Sequence, residues 1–436
     1  MNKKQCISIC VALSFVLCTT LTACGGKSAT LPDTFAEGSD WQYMQESGWF
    51  FEPTVQKGAN GIYYFIWKGF VYYLDSETQS LLPLCSKADC LHDQETDNER
   101  MTECHAYVGE TFSGPGEGIN YCNGWVYSLL QDVDQTALIR ISEDGTKKEE
   151  VYQWGSDAGI EHWIVHRDAV YYANHTYYMK DGELREKFAL MQLPLDAGLR
   201  QPKELYATPE NCEIYALSWI QGYGNYIYFQ VNGSSTREIE VTDDNYMDYL
   251  FCPTMVCNLN TGEVTALTAP DMGAADVIQG VTFWQDRILL KPATVGQIWE
   301  ETGTVYSANL DGSDPQIFME NFPQGDQILS DGKYLYLTNH NRVTRMGGGD
   351  VLYQVLDEDL NEVDTFTMPY EWPCYIRIGD PDMRFDIYYE TEGAEDENVD
   401  MDDAVITGWG VNCWDKTTIG SYHGEPFAYT EIPYNP

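Results

Sequence analysis

The stretch Asp331-Gly332-Lys333-Tyr334-Leu335-Tyr336 decides the fold. Asp-Gly supplies the positive φ angles that a two-residue hairpin turn needs, and the aromatic segment after it suits a half-buried strand. The same pairing of turn and strand recurs along the chain. Asn60-Gly61 precedes Ile62-Tyr63-Tyr64-Phe65, and Asn123-Gly124 precedes Trp125-Val126-Tyr127. Arg167-Asp168 precedes Ala169-Val170-Tyr171-Tyr172, and Gly224-Asn225 precedes Tyr226-Ile227-Tyr228-Phe229. Gln285-Asp286 leads into Arg287-Ile288-Leu289-Leu290. A looser copy at the far end is Asp380-Pro381-Asp382 before Phe385-Asp386-Ile387-Tyr388-Tyr389.

A second marker follows each hairpin: an apolar strand ending in Asp or Asn at a turn. It is seen at Leu74-Asp75, Leu195-Asp196, Leu259-Asn260-Thr261-Gly262, Leu310-Asp311-Gly312-Ser313 and Leu356-Asp357. Ile141-Ser142-Glu143-Asp144-Gly145 is a variant. A short fourth strand comes next, as in Gln316-Ile317-Phe318-Met319. Four strands per unit, repeating at intervals of roughly 44 to 63 residues, predict an all-β chain folded as a β-propeller of seven four-stranded blades. The longer intervals hold insertions at 86–118, 236–251 and 297–303, and such loops tolerate variation and carry binding. Paired β-sandwiches would not place a hairpin and an Asp turn in phase.

The first residues set the expected address. Lys3 and Lys4 open an apolar run from Ile7 to Leu21, which closes on Leu21-Thr22-Ala23-Cys24. A charged start, a short apolar run and small residues before a cleavage point describe a secretory leader. A cysteine placed directly after the small residues resembles the lipobox of bacterial lipoprotein signal peptides. The expected division is therefore a signal peptide at 1–23, an acylated Cys24 (palmitate-type chains) with a flexible tether at 24–44, and one propeller at 45–436. The mature protein would sit lipid-anchored on the extracytoplasmic face of the cell membrane.

Composition narrows the partners. The formal net charge is −43, with 68 Asp and Glu against 25 Lys and Arg. Such a surface repels nucleic acid and anionic headgroups, so no nucleic-acid partner is expected. Hydrophobic content of 43% with 14% aromatics excludes a disordered chain. The aromatic excess is tyrosine, 31 Tyr against 16 Phe, as half-buried strands favour.

Tyr306-Ser307-Ala308-Asn309-Leu310-Asp311-Gly312-Ser313 resembles the strand and turn of TolB-like and low-density-lipoprotein-receptor-like propellers. The mature chain is similar to propeller lipoproteins of anaerobic Gram-positive bacteria. There, Leu84-Cys85-Ser86-Lys87-Ala88-Asp89-Cys90-Leu91-His92 resembles a recurring cysteine and histidine segment after the first blade. The resemblance implies architecture over about residues 45–430. It implies no activity, because propellers host enzymes, receptors and scaffolds alike.

Cys85, Cys90, His92 and Cys104 form the sharpest chemical cluster, with His105 adjacent. Three thiols and an imidazole suit zinc, yet the spacing is not that of a zinc knuckle, and outside the cytoplasm Cys104 would pair with Cys85 or Cys90 as a disulfide. Unlinked thiols are the third reading. Of 13 cysteines, three leave with the leader and Cys24 is acylated, so an odd number remains. Cys252 and Cys257 read as buried apolar residues or distant partners.

No catalytic or cofactor-binding residue stands out. A nucleophile elbow, a His-Glu-x-x-His motif, a Walker loop and a dinucleotide fingerprint are all missing from the sequence. Ser142–Thr146 reads as a turn, and His162 with His166 as core or surface histidines. The acidic run from Asp396 to Asp403 offers oxygen ligands for calcium but lacks an EF-hand glycine, so it reads as a solvated loop. The expected function is a non-catalytic binding or scaffold module for a protein or a glycan. The alternative is a polysaccharide lyase or glycoside hydrolase using propeller-face carboxylates.

Overall fold

The computed structural model describes residues 32–36, 40, 55–67, 69–109, 118–132, 135–155, 159–195, 201–236, 249–273, 276–294, 302–345, 349–369, 374–377, 379–392, 405–416 and 428–433. The leader, Cys24, Asp196 and the acidic run from Asp396 to Asp403 lie outside these residues. The described strands form seven antiparallel sheets, spanning residues 55–83, 119–153, 159–207, 213–266, 276–323, 327–369 and 374–433. Within each sheet, strands lie side by side in chain order, and in the fourth sheet Leu250–Phe251 adds a short extra pairing. The expected turns are present: Asn123 and Gly124 have φ of 49° and 81°, and Gln285 and Asp286 have 49° and 58°.

Alternation along each strand explains how the sheets associate. Successive side chains point to opposite faces, so one strand feeds two cores. Val165 and Val170 join Leu129 and Leu138 of the second sheet, whereas their neighbours Ile164 and Tyr171 join Leu217 and Phe229 of the fourth. The pattern repeats around the molecule. Tyr64 and Val71 pack on Val126, Tyr228 and Val256 on Phe283, and Leu289 on Leu335. Tyr336 and Tyr353 pack with Trp414, and Phe385 and Val411 return to Phe65 and Tyr72 of the first sheet. Each sheet thus shares a core with the next, and the last shares one with the first. The chain is an all-β propeller. Both faces of each sheet are buried, which is why its strands read as nearly continuous apolar runs.

Polar side chains from the turns stitch neighbouring sheets. Asp380 accepts hydrogen bonds from the Tyr63 hydroxyl and an ion pair from Lys57 at 2.8 Å, joining the last sheet to the first. Burial and the Asp380 carboxylate together push the Tyr63 hydroxyl far above its ordinary range. Between the sixth and seventh sheets, the Lys416 ammonium pairs with Asp331 and donates to the Asp380 carbonyl at 2.8 Å.

The segment from Pro32 to Ala36, with Asp40, falls in the expected tether but lies as a strap against the third to fifth sheets. The Asp40 carboxylate takes hydrogen bonds from Arg167 Nε at 2.7 Å, from the Gly224 N–H at 3.0 Å and from the Ala36 N–H at 3.1 Å. Arg167 also donates to the carbonyls of Pro32 and Thr34 and to Asn225. Phe35 packs on Tyr223 at 5.8 Å. Gly224 has φ of +57°, and a Cβ there would lie 1.8 Å from the Asp33 carbonyl oxygen. Only glycine admits that approach. His166, read as a core or surface histidine, is buried and bonds through Nε2 to the Gly224 carbonyl at 2.7 Å.

Candidate metal centre

The outer strand of the first sheet, Ser80–Pro83, is interrupted by an insertion that leaves and returns at a single residue. Leu84 N–H donates to the Val71 carbonyl, and Val71 N–H donates to the Ala106 carbonyl, both at 2.8 Å. Tyr107 then bridges Phe70, continuing the edge that Pro83 left. The insertion is therefore a loop within the fourth strand of the first sheet. The three-residue return at Ala106–Val108 is too short to be recognised in the sequence as part of that strand.

Inside the loop, local chemistry sets each side chain. Asp97 caps the helix Asn98–Glu103 by accepting the N–H groups of Glu99 and Arg100, and Cys104 sits at its C-terminal end. A 3-10 turn at His92–Gln94 orients His92, whose φ is +54°, uncommon for a residue with a side chain. The ligand atoms of Cys85, Cys90, His92 and Cys104 all lie within 4.8 Å of one another. His92 Nδ1 faces Cys104 Sγ at 3.7 Å. The structure thus brings together all four residues that the sequence singled out. The His105 ring is not among them and bonds the Gly145 carbonyl at 2.8 Å.

The surroundings of the cluster are polar and positive. Lys148, from the outer strand of the second sheet, donates to the carbonyls of Thr102, Cys104 and Tyr107 at 2.8, 2.7 and 2.9 Å. Burial lowers its pKa, against the raising influence of the three thiols nearby. Burial also pushes the Cys104 thiol up to about 12. At Cys85 burial acts in the same direction, but the backbone N–H groups of Lys87 and His105 and the neighbouring thiols outweigh it and leave that thiol below its ordinary value. Burial lowers the His92 imidazole, favouring the neutral ring that a metal needs. Gly145 makes room for the loop: a Cβ there would lie 2.9 Å from the Cys85 nitrogen. Neither Lys148 nor Gly145 was legible as part of the centre, since each lies far along the chain without a local motif.

Chemically, the four groups can hold one tetrahedral cation of the zinc type, or two of the thiols can oxidise. The other candidates divide as expected. Cys252 and Cys257 are buried; Cys257 lies in the core between the third and fourth sheets, and Cys252 Sγ meets Asn232 Oδ1 at 2.8 Å. Burial pushes each of the two thiols up to about 11. Ser142–Thr146 is a turn in which the Asp144 carboxylate accepts the Thr146 N–H.

No family model matches the chain, and no curated protein does. Solved structures similar to it are distant. A prolyl endopeptidase is 11% identical, with a TM-score of 0.48 over 99% of this chain and 55% of its own. An oligogalacturonate lyase from Vibrio parahaemolyticus is 11% identical, with a TM-score of 0.42 over 79% and 82%. An uncharacterised protein from Listeria monocytogenes is 10% identical, with a TM-score of 0.39 over 61% and 71%. At these values the likeness carries no argument about activity.

Proposed function

We propose that this protein is a lipid-tethered, extracytoplasmic binding module, a propeller of seven blades held to the cell membrane through Cys24 and recognising a protein ligand without catalysis. One observation carries the binding reading. The strands Ala169–Lys180 and Glu183–Pro194 are longer than their neighbours in the third sheet, and the hairpin they form ends in exposed apolar side chains. Tyr177, Met179 and Leu184 are 60%, 65% and 66% exposed. Met179 pairs with Leu184 across the hairpin and Tyr177 lies two residues along, so all three share one face. Such side chains grouped at a tip mark an interaction site. Methionine and leucine suit a protein surface better than a sugar, which asks for aromatic faces and hydrogen bonds.

The strap supports an orientation. Antiparallel order puts the turns between first and second strands, and between third and fourth, at one end of the ring; connections between second and third strands lie at the other. The strap meets Arg167, Asn225 and Asn260 at the first end. The Asp181-Gly182 hairpin tip belongs to the second end. Fully extended, the chain from Cys24 to Pro32 spans at most about 28 Å. A lipid on Cys24 would therefore hold the strap end near the membrane and present the hairpin end outward.

Two assays test this reading. Fatty-acid labelling of bacteria producing the full chain should mark the wild type and not Cys24→Ala; equal labelling of both would overturn the anchor. Purified protein should release neither reducing ends nor unsaturated products from a polysaccharide panel. Turnover that survives purification and disappears on replacing a single ring carboxylate would establish the carbohydrate-active alternative instead.

A further inference from the structure

We propose that Cys85, Cys90, His92 and Cys104 bind one zinc ion that closes the neck of the inserted loop. The donor set is three sulfurs and one imidazole nitrogen, which zinc prefers in structural sites. With a Zn–S distance of about 2.3 Å, ligand atoms of a tetrahedral site stand about 3.8 Å apart. The four atoms, already within 4.8 Å of one another, need to close by only about 1 Å.

A disulfide accounts for less of this geometry. It uses two thiols and leaves a third thiol and an imidazole converging on the same point with no task. One metal ion uses all four. The loop also needs an organiser, because both its 3-10 turn and its helix contribute no buried side chain. Its ends already meet at Val71, so a metal at the neck would lock the loop as a unit.

Charge is balanced too. Zinc with three thiolates and a neutral imidazole carries a net charge of −1, and the half-buried Lys148 ammonium lies against the loop through the carbonyls of Thr102, Cys104 and Tyr107. The N–H groups of Lys87 and His105 are directed at Cys85, as groups around a metal thiolate commonly are. Loading releases the three thiol protons to solvent and transfers no electrons. Four protein ligands fill the tetrahedron, so the role is to hold the loop and not to activate water.

The test uses the full chain, purified anaerobically with reductant, loaded with zinc sulfate and passed through gel filtration. One zinc per chain is expected. Cobalt in place of zinc should give the visible bands of a tetrahedral site together with strong thiolate-to-cobalt charge transfer. His92→Ala and Cys90→Ser should lose stoichiometric metal, while Asp89→Asn, an exposed neighbour, should keep it. Stripping the wild type with a chelator should expose Lys87 and Arg100 to rapid tryptic cleavage while the sheets retain their circular dichroism. Wild-type protein that holds no zinc under these conditions would overturn the proposal without reference to any variant. So would an octahedral cobalt spectrum, or a disulfide among the three cysteines in protein kept from oxidants throughout.

Discussion

Replacing Lys416 with Met should lower the free energy of unfolding by about 3–5 kcal/mol, as expected when one partner of a buried ion pair is removed. Lys416 and Asp331 are both fully buried, at 1% and 0% side-chain exposure. The Asp331 carboxylate already takes the N–H groups of Lys333 and Tyr334 at 2.8 and 2.7 Å and the Tyr336 hydroxyl at 2.6 Å. Removing the ammonium leaves that carboxylate buried between two sheets without its counter-ion. Burial holds the Lys416 pKa below its ordinary value, the desolvation that its pairing with Asp331 opposes. The double variant Lys416→Met with Asp331→Asn should recover part of the loss, because it removes the stranded charge. Urea unfolding monitored by tryptophan fluorescence measures both. Equal stability of wild type and Lys416→Met would mean that the seam between the sixth and seventh sheets is not held in this way.

The strap should respond to two substitutions in different ways. Arg167→Leu strands the Asp40 carboxylate and removes donors from Pro32, Thr34 and Asn225 together, so a loss of about 3–5 kcal/mol is expected. Gly224→Ala adds a methyl group where the Asp33 carbonyl stands and forces alanine to a φ of +57°. The expected cost is smaller, about 1–3 kcal/mol, because the strap can lift while the ring stays closed. Hydrogen exchange over residues 33–36 should quicken in both variants, whereas exchange in the core strands should quicken only in Arg167→Leu. Unchanged exchange over the strap in both would contradict its docking.

How far the sequence revealed this molecule follows from the range of each interaction. Hairpins such as Asn123-Gly124 were legible because the turn residues and the strand they start are adjacent, and the alternating cores were legible as apolar runs. Cys85, Cys90 and His92 were legible as a group for the same reason, with Cys104 close behind. The strap was not. Asp40 and Arg167 lie far apart in sequence, and an Asp in a segment rich in Gly, Ser and Thr looks like solvent-exposed linker. The same holds for Lys416 with Asp331 and for Lys148 beside the thiols: the role of such a charge is recognisable only once its partner is in place. The protruding hairpin went unread in the sequence, although its turn is local. Asp181-Gly182 is a turn dipeptide with φ of 55° and 85°, and the apolar residues at 177, 179 and 184 flank it. That Met179 and Leu184 stay exposed depends on strand length beyond the neighbouring strands, which no local pattern records.

The central claim is a tethered propeller that presents its hairpin end and shelters its strap end. Two epitope-tagged forms of the acylated full chain, reconstituted in liposomes, test it most directly. One carries the tag between Asp181 and Gly182. The other carries it in the exposed Ser76–Gln79 turn between the third and fourth strands of the first sheet, at the strap end. Antibody should bind the hairpin tag on intact liposomes at close to its full extent, and the second tag only after the protein is released from the lipid. Equal binding to both tags on intact liposomes, or binding to the Ser76–Gln79 tag alone, would contradict the account.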